Sequence, residues 1–337
     1  MNDRGRFDSR YGFAVGRIRV LEKRMLTRSV LDRLIASSTP DEGVRILSET
    51  GFADIPAAVR TWGELERKLS GLWAGVLDLL DELTLDPPWT DLFRKRIDYH
   101  NLKVFFKASR SGSTHEGAVM QGGLVPLPLL QETAQGRFPD GLPDFARRAG
   151  QAVLKVWKPE SSPDVLDRSL DREQAMEWET VLQDRPNRFL QDWHRLEMDL
   201  HNMDVFFRVK AAGWGKSLFR ESLLPGGTLD TSGWEPLLDG TWENAAAVFV
   251  RTSYGNGIGQ AMVSLKESGR FEAWVDQCLE YRWHDLQPFR RFFFGPEVLL
   301  AFGLSRQLEL SLIGRVLVGK AAGMDAESIG RRIPRVF

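Results

Sequence analysis

A ten-residue segment that returns 101 residues later constrains this chain more than any other feature. Asp98-Tyr99-His100-Asn101-Leu102-Lys103-Val104-Phe105-Phe106-Lys107 recurs as Asp199-Leu200-His201-Asn202-Met203-Asp204-Val205-Phe206-Phe207-Arg208, with six of ten positions identical. The echo continues downstream, where Gly122-Gly123 before Leu127-Pro128-Leu129-Leu130 matches Gly226-Gly227 before Glu235-Pro236-Leu237-Leu238. A weaker third copy lies at Glu309 to Gly323: a shift of 110 residues puts Asp199 on Glu309 and aligns Lys210-Ala211-Ala212-Gly213 with Lys320-Ala321-Ala322-Gly323. The chain therefore reads as three related units, divided here into residues 1–115, 116–220 and 221–337. Related units associate through equivalent surfaces, and closing three of them makes a funnel with pseudo-threefold symmetry.

Between breakers the pattern is helical, which makes the expected fold all-α. Val15, Ile18, Leu21 and Met25 fall on one stripe of a first helix whose other faces carry Arg17, Arg19, Glu22, Lys23 and Arg24. Thr39-Pro40-Asp41-Glu42 supplies an N-cap, a proline at the first helical position and acids in the first turn, so a second helix starts there and stops at Gly51. Helices are expected over residues 62–83, 91–109, 171–183, 189–212, 243–251, 271–281 and 297–322. Loops are expected at Asp86-Pro87-Pro88, at 110–123, 136–143, 158–163 and 225–233, at Arg185-Pro186, and at Gly255 to Gly259. The weak strand candidates lie near Ala152 to Trp157.

Composition removes several function classes. With 45 basic against 46 acidic side chains the net charge is −1, so overall charge gives nucleic-acid binding no support. The single cysteine, Cys278, forms no internal disulfide and reads as a core-facing helix residue, in keeping with a reducing, cytosolic compartment. Residues 1–10 carry Asp3, Arg4, Arg6, Asp8 and Arg10 with no apolar stretch behind them, which does not read as a signal peptide. A membrane span needs about 20 apolar residues. The stretches Val298 to Ser305 and Leu310 to Val318 are too short or broken by charge, so membrane association is expected only through a partner or the surface.

In the repeated motif, Asn101, Val104, Phe105 and Ala108 share a helix face, an apolar stripe headed by an amide expected to bridge to a neighbouring helix. The chemical rival is a metal or acid–base site built from Asp98, His100, Asp199, His201, His194 and Glu197. Asp98 and His100 point about 200° apart on a helix, so that pair cannot chelate one ion. Lys210 to Ser217 ends like a phosphate loop, but Lys210 stands where the first glycine is required and no strand precedes it. A helix C-terminus stopping at Gly213 explains the stretch better. Most of the aromatic clusters Phe105-Phe106, Phe206-Phe207 and Phe292-Phe293-Phe294 read as core and inter-helix packing, since two of the three sit in the repeat at equivalent positions. The basic runs Arg94-Lys95-Arg96 and Arg331-Arg332 read as solvated faces.

In their order and spacing these residues resemble the C (or d) subunit of V-type (archaeal-type) rotary ATPases. The carrying residues are Gly16 to Glu22, Leu31-Asp32-Arg33-Leu34-Ile35, a short helix through Gly51-Phe52, Asp98-x-x-Asn101-Leu102 and Asp199-x-x-Asn202-Met203. They continue with Phe294-Gly295-Pro296-Glu297, Glu309, Gly319 to Gly323, and Glu327 to Arg332. One departure stands out: the last copy usually has Asn and Arg where Leu312 and Gly314 stand here, followed by Arg315. The resemblance implies a non-catalytic funnel of three helical domains on the cytoplasmic side of the cell membrane, peripheral and without cofactor or metal. Its cavity would hold the D and F shaft subunits and its other face would rest on the proteolipid ring, with membrane contact only through that ring and no homo-oligomer required. Charged rims such as Arg17, Arg19, Lys23 and Arg24, or Lys103 and Lys107, are the candidate partner contacts. The competing readings are a soluble helical-repeat scaffold for peptides or proteins, and a helical enzyme.

Overall fold

The computed structural model describes residues 8–50, 62–112 and 117–333, and every regular element among them is helical. The expected stop at Gly51 and the short helix through Gly51-Phe52 lie outside the described residues, as do Asp3, Arg4 and Arg6. The chain forms two compact units, residues 1–150 with 286–337, and residues 151–285.

In the first unit α1 (Gly12–Glu22) buries Ala14, Val15 and Ile18 and follows a fully buried Tyr11. The Tyr11 hydroxyl donates to Asp86 Oδ2 at 2.7 Å and accepts from the Leu85 backbone N–H at 2.9 Å, and burial pushes its phenol up to about 12. Thr27 caps α2 (Arg28–Ala36) and Thr39 caps α3 (Pro40–Ser48), each accepting an N–H through its side-chain oxygen. The next helix, α4 (Trp62–Leu83), coincides with the expected span, and α5 (Pro87–Ser111) opens on the proline pair and stops at Gly112, whose φ is +63°.

The short α6 (Leu127–Ala134) rises out of a glycine- and proline-rich run that carries no helical signal. A second departure is α7 (Asp144–Val156), which replaces the strand candidates near Ala152 to Trp157. The correction has a plain cause: Phe145, Ala146, Ala149 and Val153 are buried at helical spacing, and the Trp157 N–H still donates to the Val153 carbonyl at 2.8 Å.

In the second unit, α8 (Pro163–Asp184) and α9 (Arg188–Ala212) are followed by α10 (Lys216–Ser222), α11 (Glu235–Asp239) and α12 (Trp242–Phe249). Gly255 to Gly259, expected as a loop, instead opens α13 (Gly255–Ser268). Two of these glycines serve close packing: a methyl group on Gly257 would lie 2.0 Å from the Gln277 side chain, and one on Gly255 would lie 2.1 Å from the Val250 carbonyl oxygen. Cys278 is buried in α14 (Glu272–Leu286). The core here is aromatic, with Phe206, Phe207, Trp234, Phe249 and Trp274 meeting edge-on or tilted at centroid distances such as 4.7 Å for Trp234–Phe249 and 4.9 Å for Phe207–Trp274.

The chain returns to the first unit with α15 (Pro296–Ala321), which is apolar nearly all round and correspondingly buried, against α4, α1 and α3. Gly303 lets Leu80 approach so closely that a methyl group there would sit 2.6 Å from Leu80 Cδ1. The last helix is α16 (Ala326–Gly330), whose Ile329 packs on Gly319. Unlike Phe105-Phe106 and Phe206-Phe207, which are buried, Phe292, Phe293 and Phe294 are exposed, so the expectation of packing fails for this cluster.

Candidate functional site

The repeated motif builds the same clasp twice. On α5 the fully buried Asp98 accepts the backbone N–H groups of Leu124 (2.9 Å) and Val125 (3.2 Å). One turn on, the Asn101 amide donates to the Met120 carbonyl at 2.9 Å and accepts from the Met120 N–H at 2.8 Å. On α9 the fully buried Asp199 accepts from the Thr228 N–H (2.8 Å), the Leu229 N–H (3.0 Å) and the Thr228 hydroxyl (2.5 Å), while Asn202 holds both backbone groups of Leu224 at 2.9 and 2.8 Å. In each clasp the asparagine grips the residue four places before the one held by the acid. His100 and His201 meet the carbonyls of Ala118 and Ser222, two places earlier again. The asparagine therefore anchors a loop, and the expected bridge to a neighbouring helix is replaced by that backbone pair.

The paired glycines are explained by the clasp. Gly122 and Gly226 share φ +92°, open only to glycine without strain, and the glycine after each lies on the carboxylate. A methyl group on Gly123 would stand 2.1 Å from Asp98 Oδ1, and one on Gly227 would stand 2.3 Å from Asp199 Oδ1. Two further partners join the clasps. Arg94, expected on a solvated face, is buried instead and ties the Gly122 carbonyl (2.8 Å) to Asp78 and Asp81. The Tyr254 hydroxyl donates to Asp199 at 2.9 Å. Arg94 stands one turn before Asp98 on the same helix face, a spacing that points to it; no sequence signal points to Tyr254.

The third acid differs. Glu309 on α15 is fully buried, accepts the Leu26 backbone N–H at 2.8 Å and pairs with Arg306 at 2.6 Å. Burial pushes both Asp98 and Glu309 up to about 7 against the opposing pull of their donors. Leu312, three residues on, is buried where the other two copies carry asparagine.

Four members of the rival metal set, Asp98, His100, Asp199 and His201, are engaged in the clasps, while the buried His194 Nε2 has no hydrogen-bond partner among the described residues. His194 stacks on Trp178 at 5.7 Å, with its ionisation pushed down to about 4 by burial, and Glu197 pairs with Arg282 at 2.6 Å. Among the described residues no three His, Cys, Asp or Glu side chains are placed to share an ion. The stretch resembling a phosphate loop is the end of α9: Gly213 turns at φ +65°, and the Lys210 ammonium donates to the carbonyls of Leu237, Leu238 and Gly240.

The candidate rim residues divide. Arg17 is tied to Glu82 at 2.6 Å, and Arg19 to Glu22 and the carbonyls of Phe289 and Phe292. Lys23 and Lys107 are exposed and Lys103 is half-buried. Arg24 lines a cleft of about 600 Å³ between α1, α4 and α15. No helix among the described residues is long and apolar enough to cross a membrane.

These features define an all-helical chain whose repeated polar groups fasten its own backbone. The sequence model of the ATP synthase (C/AC39) subunit family matches residues 14–332, and the chain belongs to that family. It is similar to the C subunit of the A-type ATP synthase of Thermococcus onnurineus (strain NA1), 24% identical over 240 residues, with 65% of this chain and 62% of that protein covered. The chain thus spans less than two thirds of that relative's length. The corresponding A-type ATP synthase proteins of Thermococcus kodakarensis and Desulfurococcus sp. (strain SY) are each 23% identical, with 74% of this chain and 70% of the relative covered.

Proposed function

We propose that this chain is the non-catalytic central-stalk component of a rotary ATPase or ATP synthase, coupling the D and F shaft subunits to the proteolipid ring. In this role three related helical units close into a funnel, peripheral to the cytoplasmic face of the membrane. A rotating coupler has to carry torque without shearing, so its loops need to be as stiff as its helices. The duplicated clasp supports that reading most directly: in both copies a buried carboxylate and an amide pin a glycine-paired loop by four or more hydrogen bonds. The non-catalytic part is supported by the fact that the motif's acids and histidines are occupied in bonds to this chain's own backbone.

A pull-down from native membranes with tagged chain tests the proposal. Recovery of D, F and the proteolipid together is expected. Recovery as a monomer, or with an unrelated soluble peptide-bearing partner, refutes it in favour of the scaffold reading.

A further inference from the structure

Arg67 and six further lining positions of the cleft come from α4, the six being Lys68, Gly71, Leu72, Gly75, Val76 and Leu79. Their spacing of 3, 1, 3, 1 and 3 residues places them on one helix face, a stripe roughly 16 Å long. The core-facing side of α4 is a different one, carrying the buried Trp73, Leu77 and Leu80. A surface helix needs only one apolar face, so the second, half-exposed stripe calls for another explanation.

The two glycines sharpen the point. Neither has positive φ, and a methyl group at Gly71 or Gly75 would meet nothing within 4 Å. Glycine in a helix interior weakens it relative to alanine, so neither backbone geometry nor internal packing accounts for the pair. Glycines one turn apart leave a notch in which another helix backbone can approach closely.

Charge fixes the sign of what enters. Arg24, Arg67 and Lys68 line the cleft, together with Arg306, whose charge is already paired with Glu309, and no carboxylate lines it. Leu21 and Phe302 extend the apolar floor beyond α4.

We propose, resting on the coupling reading above, that this cleft docks one acidic amphipathic helix of a partner in the rotary complex. The partner lays its small and apolar stripe along Leu72, Val76 and Leu79, crosses α4 at the glycine notch, and turns its carboxylates toward Arg24, Arg67 and Lys68.

Two synthetic helical peptides test this, sharing one leucine–alanine stripe and flanked by glutamates in one and lysines in the other. The glutamate peptide is expected to bind the full chain and to weaken as salt rises from roughly 0.01 to 1 M, over which the screening length falls about tenfold. The lysine peptide is expected not to bind. Gly75→Leu fills the notch while favouring the helix, so it should raise Tm by about 2 °C and weaken the glutamate peptide about tenfold. Arg67→Glu with Lys68→Glu should exchange the preference for the two peptides. Equal binding of both peptides, unchanged affinity in Gly75→Leu, or displacement of the peptide by phosphatidylglycerol vesicles overturns the inference. In the native complex the two readings separate. If the wild-type chain retains no rotary subunit, the coupling role fails; if wild type and Gly75→Leu retain the same partners equally, only the docking cleft fails.

Discussion

Removing the Asp199 carboxylate is the sharpest test of the clasp. In Asp199→Ala four donors lose their acceptor: the N–H groups of Thr228 and Leu229 and the hydroxyls of Thr228 and Tyr254. The hydroxyls can rotate toward each other, but the two backbone N–H groups are fixed by the loop. Each orphaned buried N–H costs about 1–3 kcal/mol, and release of a buried carboxylate recovers part of this, so the expected net loss is about 3 kcal/mol. Asp199→Asn keeps one oxygen on both N–H groups and turns its NH2 toward hydroxyls able to accept, so it should cost only about 1 kcal/mol. Tyr254→Phe should cost about 1 kcal/mol in wild type and markedly less in Asp199→Ala, since the pair is one interaction. Urea denaturation gives the totals, and hydrogen exchange at the Thr228 and Leu229 amides locates the loss. Equal costs for Asp199→Ala and Asp199→Asn, or unchanged protection of those amides in the alanine variant, would refute the clasp as the element holding this loop.

Gly123→Ala forces a methyl group to 2.1 Å from Asp98 Oδ1 and should destabilise by roughly 2–4 kcal/mol, read as a lower urea midpoint; a change below about 0.5 kcal/mol would contradict the geometry. Asp98, pushed from 3.8 up to about 7, binds a proton in the folded state that the unfolded chain has lost between those values, so its contribution to stability falls as pH rises through that window. The urea midpoint of wild type should therefore drop relative to Asp98→Asn between about pH 4 and pH 7, with Glu309 present in both and cancelling. Glu309→Ala leaves Arg306 and the Leu26 N–H without their partner in a buried site and should cost about 3 kcal/mol, more than Glu309→Gln, in the same assay. Leu312→Asn should destabilise by about 2 kcal/mol, because it buries an amide where the fold offers no loop to hold.

The long α4, α9 and α15 and the short but capped α3 were legible, whereas the first turns of α8 and the whole of α6 and α7 were not. α9 runs from an Asn187 cap to a terminal Gly213, α15 opens on Pro296 and ends just before Gly323, and α4 and α9 carry several turns of 3.6-residue period. By contrast α6 follows a glycine- and proline-rich run and α13 opens on three glycines, where local signals favour a loop and tertiary packing decides otherwise, as Gly257 against Gln277 shows. The acid and asparagine of the motif stood out in sequence because they repeat, but their partners did not. Met120 and Leu124 are ordinary residues selected by register across 19 and 26 positions, and backbone groups carry no sequence signature. For α4 the sequence reading stopped at the helix itself, and the cleft became visible only once Trp73, Leu77 and Leu80 were seen to be buried on another side.

The odd third copy follows from chain connectivity. Asp98 and Asp199 take their loops from the residues that follow, 26 and 29 positions downstream, whereas Glu309 takes the N–H of Leu26 from 283 positions upstream. The Leu26 segment thus plays for α15 the part that the glycine-paired loops play for α5 and α9. In those clasps the asparagine holds the residue four places before the acid's partner; here that residue is Glu22, the last of α1, whose carbonyl already accepts from the Met25 N–H. An asparagine at 312 would find this backbone satisfied by the helix, so an apolar Leu312 packed in the core is the better solution, and Arg306 takes over as the second fastening of the acid. The repeat keeps its acid because an N–H needs an acceptor, and gives up its amide where a helix has made it unnecessary.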